Sequence, residues 1–259
     1  MKQTEKCLFL IHYLLKENRA YSDIEIPDSS EAQKTLLRAL LNVRPPQAVS
    51  DEFLAVEDSY LQTELLQKGV IAVDDLSPLQ PQLYLWRGDI TRFKADAIVN
   101  AANSQMLGCF LPNHSCIDNA IHTFAGIRLR QTCNRLMVEQ GHLERTGQAK
   151  ITPAYNLPSQ YIIHTVGPIV NQKLTNRNRE ALRSCYQSCL SMAEQHHLNS
   201  LVFCCISTGE FLFPAEEAAQ IAVTAVKHFL QKTGSSIKVV FNVFKEKDEK
   251  IYGKLLQNS

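Results

Sequence analysis

Asp96-Ala97-Ile98-Val99-Asn100-Ala101-Ala102-Asn103 is the stretch that decides how this chain folds. Ala97-Ile98-Val99 is an unbroken apolar run, the pattern of a strand buried on both faces, and asparagines follow it directly. Comparable runs flank it: Leu83-Tyr84-Leu85-Trp86, Ala149 to Tyr155, Tyr161 to Val166, Leu201 to Ile206, and Lys238 to Phe244. Helical patterns lie between them: one long helix from Cys116 to about Gln140, then Asn178 to His197, Pro214 to Lys232, and Asp248 to Gln257. Apolar strands alternating with helices predict an α/β fold whose sheet is covered on both faces.

Upstream the composition changes. Residues 1–80 carry 8 basic and 13 acidic side chains and a single glycine, Gly69; residues 81–259 carry 19 basic, 13 acidic and the other nine glycines. Three helical segments fill the first part, Thr4 to Lys16, Ser30 (as N-cap) to Leu41, and Ser50 to Gln67, and Ser77-Pro78 with Pro81 marks the boundary. We read a helical N-terminal extension over 1–80 and an α/β domain over 81–259. The extension has no catalytic spacing and reads as a cap on the domain or a partner surface.

The 259 residues have 27 basic and 26 acidic side chains, a net charge of +1. That balance argues against electrostatic capture of nucleic acid or an anionic membrane. No apolar run approaches the roughly 18 residues of a membrane span. The apolar stretch near the N-terminus is broken by His12 and lacks a small-x-small cleavage site, so it reads as a helix of the mature fold. Eight dilute cysteines argue for a reduced, cytoplasmic setting.

In a sheet of this kind ligands bind beyond the carboxyl ends of strands. Ser207-Thr208-Gly209-Glu210-Phe211-Leu212-Phe213, between a strand and a helix, offers backbone N–H groups for a phosphate or diphosphate without a lysine. Asn100 and Asn103 can bond sugar hydroxyls, because an amide both donates and accepts. Cys109, His114 and Cys116 fall within eight residues, with Asp118 close behind. Thiolate and imidazole are zinc's preferred donors, and three protein ligands leave one position open. Cys185, Cys189, Cys204 and Cys205 read as packing residues, and His122 and His164 as core histidines.

Together, Gly88-Asp89-Ile90-Thr91, Asp96 to Asn103, Ile117-Asp118-Asn119-Ala120-Ile121-His122 and Ile206-Ser207-Thr208-Gly209 resemble the macrodomains, which bind ADP-ribose. The resemblance covers about residues 82–257 and is nearest to the zinc-containing microbial subgroup, often linked to sirtuins. It implies a three-layer α/β/α fold with a mixed central sheet. It also implies that Asp89 and the Ile90 N–H address the adenine, with Phe244 facing it. Ser207, Thr208, Gly209, Glu210 and Phe211 would hold the diphosphate, and Phe213 would pack on a ribose. Asn103, with Asn100, would address the distal ribose, beside Zn2+ on Cys109, His114 and Cys116. Asp118 and Asn103 would be catalytic.

The activity implied is zinc-dependent hydrolysis of mono-ADP-ribose from protein side chains, acidic ones foremost. A sirtuin-type ADP-ribosyltransferase would be its functional counterpart. A non-catalytic ADP-ribose reader and a hydrolase of O-acetyl-ADP-ribose are the alternatives. Cys-Phe-Leu-Pro after Gly108 replaces the commoner glycine-rich loop, and Leu212 stands where many relatives have glycine.

Overall fold

The structure, a computed structural model, describes residues 1–257. The chain opens with three helices, α1 Gln3–Glu17, α2 Ser30–Val43 and α3 Asp51–Lys68. Serine caps start the second and third: Ser29 Oγ accepts from Ala32 N–H at 3.3 Å and Ser50 Oγ from Phe53 N–H at 3.2 Å. The cap of α2 is thus Ser29 rather than Ser30. Leu10, Ile11, Leu37 and Phe53 form a core between these helices, and Ile127 of the following part closes it.

Two short strands, β1 Ile71–Ala72 and β3 Phe93–Lys94, pair in parallel at the edge of the fold. The main sheet has six strands in the order β2 Leu83–Arg87, β8 Lys238–Val243, β7 Ser200–Phe203, β4 Ala97–Ala102, β6 Tyr161–Val166 and β5 Ala149–Pro153. All neighbours run parallel except β5, which is antiparallel to β6, so the sheet is mixed. Five more helices, α4 Ile117–Ala125, α5 Ile127–Gln140, α6 Asn176–Gln195, α7 Ala215–Thr233 and α8 Glu246–Gln257, cover it. Helix α4 packs on β4 and α5, and α6 packs on β6 and α7, so that helices on both faces of the sheet give the three layers. Among the described residues no helix is long and apolar enough to cross a membrane.

The single helix expected from Cys116 to Gln140 is two helices. Gly126, at φ 91°, breaks it, and the N–H of Ile127 turns to the carboxyl group of Glu57 in α3 at 3.2 Å. A β-carbon at Gly126 would stand 2.9 Å from Glu57 Oε2, so both the backbone angle and the close approach require glycine there. The run Leu201 to Ile206 is strand only to Phe203; Cys204, Cys205 and Ile206 already belong to the loop.

Strand order places the site. From β4 the chain proceeds to β5 and then β6 on one side, and from β7 to β8 on the other. The adjacent pair β4 and β7 is therefore the topological switch point, where loops diverge and leave a crevice. The loop after β4 carries Cys109 to Cys116; the loop after β7 carries Ser207 to Phe213.

Candidate active site at the switch point

Asp118 stands in the first turn of α4, where the helix dipole favours a carboxylate. Asn100 Nδ2 donates to its Oδ1 at 2.8 Å, Asn103 Nδ2 to its Oδ2 at 3.4 Å, and His122 Nε2 lies 3.6 Å from Oδ1. Burial pushes its pKa up to about 6, against the pull of the Asn100 bond and the Arg130 charge. The carboxylate is thus held at both oxygens.

Asn100 does not reach a ligand as expected. It lies within β4, fully buried, opposite His164 of β6. Its Nδ2 also contacts His164 Nδ1 at 3.1 Å, and His164 Nε2 lies 2.9 Å from Thr152 Oγ1 on β5. Burial lowers the His164 pKa to about 3, so the ring is neutral. A neutral ring accepting at Nδ1 donates from Nε2, so the Asn100 amide donates to Asp118 on one side and to His164 on the other, and His164 donates onward to Thr152. His164 and His122 are both buried in this core. Asn103 is half-exposed and also donates to Gly108 O at 3.1 Å, which leaves it at the mouth of the site.

The cysteine-histidine loop converges. The donor atoms of Cys109, His114 and Cys116 all lie within 4.8 Å of one another, and Cys109 Sγ is 3.5 Å from His114 Nδ1. Zinc–sulfur and zinc–nitrogen bonds of about 2.3 and 2.0 Å at a tetrahedral angle separate their donors by about 3.5 Å, so the set has the right chemistry and spacing for zinc. His114 Nε2 faces Glu210 Oε1 at 3.5 Å, a carboxylate on the far ring nitrogen that would orient the imidazole. Burial pushes the Cys116 thiol up to about 12, a tendency that a bound divalent cation reverses. Cys116 Sγ is also the N-cap of α4, accepting from Asn119 N–H at 3.4 Å.

Across the switch point, the turn after β7 is bracketed by left-handed residues, Ser207 at φ 65° and Leu212 at φ 54°. It closes through Phe213 N–H to Ser207 O at 3.0 Å and Leu212 N–H to Gly209 O at 3.0 Å. Thr208 Oγ bonds Cys205 O at 3.1 Å. Among the described residues the backbone N–H groups of Gly209, Glu210 and Phe211 have no acceptor, as in an anion-binding turn. The left-handed angle at Leu212 accounts for the glycine that its expected relatives carry there.

Phe213 does not offer the ribose contact expected of it. Its ring is only 2% exposed and packs in the main core, so Phe213 anchors the turn from beneath. At the far end, Asp89 Oδ1 accepts from the Thr91 N–H at 3.0 Å and its hydroxyl at 2.6 Å, capping a 3-10 turn over Ile90–Arg92. Asp89 Oδ2 and the N–H of Ile90 are left for an outside partner, since a helix start leaves its first N–H groups unpaired. Gly88 N–H to Val243 O at 3.0 Å ties this turn to the end of β8, where Phe244 is 77% exposed.

Sequence reasoning missed the residues that brace these loops from afar: Arg38 and Asn42 on α2, Glu57 on α3, and Asn119 and Arg130. Only Asn119 lies within a quoted motif, where no role was read for it; the others carry no local pattern that marks them.

Comparison with known proteins agrees with this fold. The family description Macro domain matches residues 99–222. A Treponema medium protein named Protein-ADP-ribose hydrolase is 54% identical over 260 residues, covering 99% of this chain and all of that one. A Staphylococcus aureus protein of the same name is 49% identical, covering 94% of this chain and 92% of its own. The Trypanosoma brucei macrodomain in complex with ADP-ribose superposes with a TM-score of 0.66 at 31% identity, covering 85% of this chain and 94% of that one. The chain belongs to the macrodomain family.

Proposed function

We propose that this chain hydrolyses mono-ADP-ribose from modified protein side chains, with acidic side chains as the favoured attachment. The observation that carries the reading is the Asp118 carboxylate, held by two asparagines at the switch point beside three convergent metal donors. Relatives named Protein-ADP-ribose hydrolase support the reaction class.

The Gly209, Glu210 and Phe211 N–H groups would bind the diphosphate, and Asp89, the Ile90 N–H and Phe244 the adenine. That affinity is remote from the reacting bond and can be spent on orienting it. Asn103 would hold the distal ribose, and Asp118 would orient or deprotonate the attacking group. Zn2+ on Cys109, His114 and Cys116 would supply Lewis acidity beside that ribose. An ester on Asp or Glu is favoured because a carboxylate leaves readily. The same reading carries a division into an extension over 1–80 and a macrodomain over 81–259, a cytoplasmic setting, and pairing with a sirtuin-type ADP-ribosyltransferase.

Release of ADP-ribose from an ester-modified protein by wild type, and its loss in Asp118→Ala with ADP-ribose binding retained, is the expected result. Saturable binding without turnover in the wild type would make the protein a reader. Turnover confined to O-acetyl-ADP-ribose would redirect the substrate.

A further inference from the structure

The loop from Asn103 to Cys116 carries all three metal donors and has no regular secondary structure of its own. Part of what holds it comes from outside the α/β domain. Arg38, on α2 of the extension, donates from its guanidinium to His114 O at 2.9 Å and to Asn119 Oδ1 at 2.9 and 3.3 Å. Among the described residues Arg38 pairs with no carboxylate, and the hydrogen bonds of its guanidinium all go to this loop and to Asn119.

Asn119 is fully buried and works as a hub. Its Nδ2 donates to Leu111 O at 3.0 Å and to Cys109 O at 3.5 Å, while its backbone N–H reaches Cys116 Sγ. One turn along α2, the buried Asn42 accepts from Asn113 N–H at 2.9 Å and donates to Thr123 Oγ1 at 2.9 Å. Thr123 Oγ1 in turn bonds Asn119 O at 2.7 Å. Each of the three donor residues is therefore tied to α2, His114 directly and Cys109 and Cys116 through Asn119.

We propose that Arg38 and Asn42 are positioning residues for the Cys109–His114–Cys116 centre, so that the N-terminal extension sets how tightly this chain holds its metal. The proposal rests on the zinc reading of that loop. A site whose donors are already placed binds its ion without first ordering the loop, and neighbours that orient ligands typically change metal affinity by about 10- to 100-fold. Arg38 suits this task because its planar fork reaches two acceptors at once, His114 O and Asn119 Oδ1. A lysine has three donors on one nitrogen but lacks the fixed fork that brings both Nε and Nη2 to Asn119 Oδ1.

The test uses the full chain loaded with zinc and titrated against a competing chelator, with Co2+ absorption as a second readout of tetrahedral geometry. The arms are wild type, Arg38→Ala, Arg38→Lys, Asn42→Ala and Cys109→Ser, each checked by thermal melting. Zinc affinity should fall about 10- to 100-fold in Arg38→Ala and less in Asn42→Ala, with partial recovery in Arg38→Lys. ADP-ribose affinity measured on metal-free protein should stay within about twofold of wild type, because its diphosphate and adenine contacts lie elsewhere.

Zinc affinity in Arg38→Ala equal to wild type, with only a lowered melting temperature, would reduce α2 to packing and overturn the proposal while leaving the zinc reading intact. Wild type that takes up no zinc, or Cys109→Ser that takes up as much, would overturn both. If Arg38→Ala does not fold, Arg38→Met, which keeps the apolar stem, is read in its place.

Discussion

Asn100 Nδ2 donates to Asp118 Oδ1 over 2.8 Å, from a strand position that solvent does not reach. Strand β4 therefore aims the carboxylate without itself meeting a ligand. In Asn100→Ala, kcat should fall by at least about tenfold while KM stays within about threefold, since the carboxylate is misaligned but the binding loops are untouched. Steady-state kinetics on an ADP-ribosylated protein decide this; a rise in KM at constant kcat would return Asn100 to substrate binding.

The diphosphate turn can be tested through its glycine. A β-carbon at Gly209 would meet nothing within 4 Å, and its backbone angle is not left-handed. Gly209→Val should leave thermal stability within about 0.5 kcal/mol of wild type, as for an exposed substitution. ADP-ribose affinity should nevertheless drop about tenfold or more, because the side chain occupies the space the anion needs. Calorimetric titration with an unchanged Kd would move the phosphate site off this turn.

Cys116 does two jobs that one substitution separates. Its sulfur caps α4 and is also one of the three convergent donors. Serine is the better cap but a poor zinc ligand. Cys116→Ser should keep or slightly raise the stability of metal-free protein, by up to about 1 kcal/mol, while bound zinc and hydrolysis are both lost. Metal analysis showing full zinc content in this variant would remove Cys116 from the donor set.

Glu57 makes stability depend on pH. Burial pushes its pKa up from 4.5 to about 8, partly offset by the Ile127 N–H bond. The folded chain keeps a proton that the unfolded chain releases near pH 4.5. The group's stabilisation is therefore whole below that pH and is lost as pH rises through about 8. At about 1.4 kcal/mol per pH unit the full effect is at most about 5 kcal/mol. Glu57→Gln keeps an acceptor for Ile127 and cannot ionise, so its urea-unfolding stability should decline less between pH 5 and pH 8. Parallel declines in the two proteins would refute this.

Much of this was legible because it is local in sequence. The apolar runs of β4, β6 and β8 declare themselves, and Cys109, His114, Cys116 and Asp118 lie close enough to be read as one cluster. Asn100 misled because it follows Ile98-Val99 and looks like a loop residue, whereas β4 continues to Ala102 and buries it. Gly126 hid inside a helical pattern, since its left-handed angle is set by Glu57, far away in sequence. The family resemblance implied a ribose contact for Phe213, yet its ring completes the core below. Arg38, Asn42 and Glu57 had no legible role at all; polar residues on amphipathic helices look alike until their partners are known.

The pairing of β2 with β8 has a consequence for how this protein is made. Leu83 sits in register with Val239, and Arg87 with Val243, so one of the first strands of the sheet is completed by the last. A ribosome synthesises the chain from the N-terminus, and β2 stays without β8, its one partner in the main sheet among the described residues, until β8 has emerged. The three opening helices can gather around their own core early, whereas the sheet closes only once β8 has been made. During that interval β2 and the outer edge of β7 are open to wrong partners. Chaperone demand and yield should therefore respond sharply to truncations that remove β8, even though β8 contributes none of the proposed catalytic or metal-binding side chains.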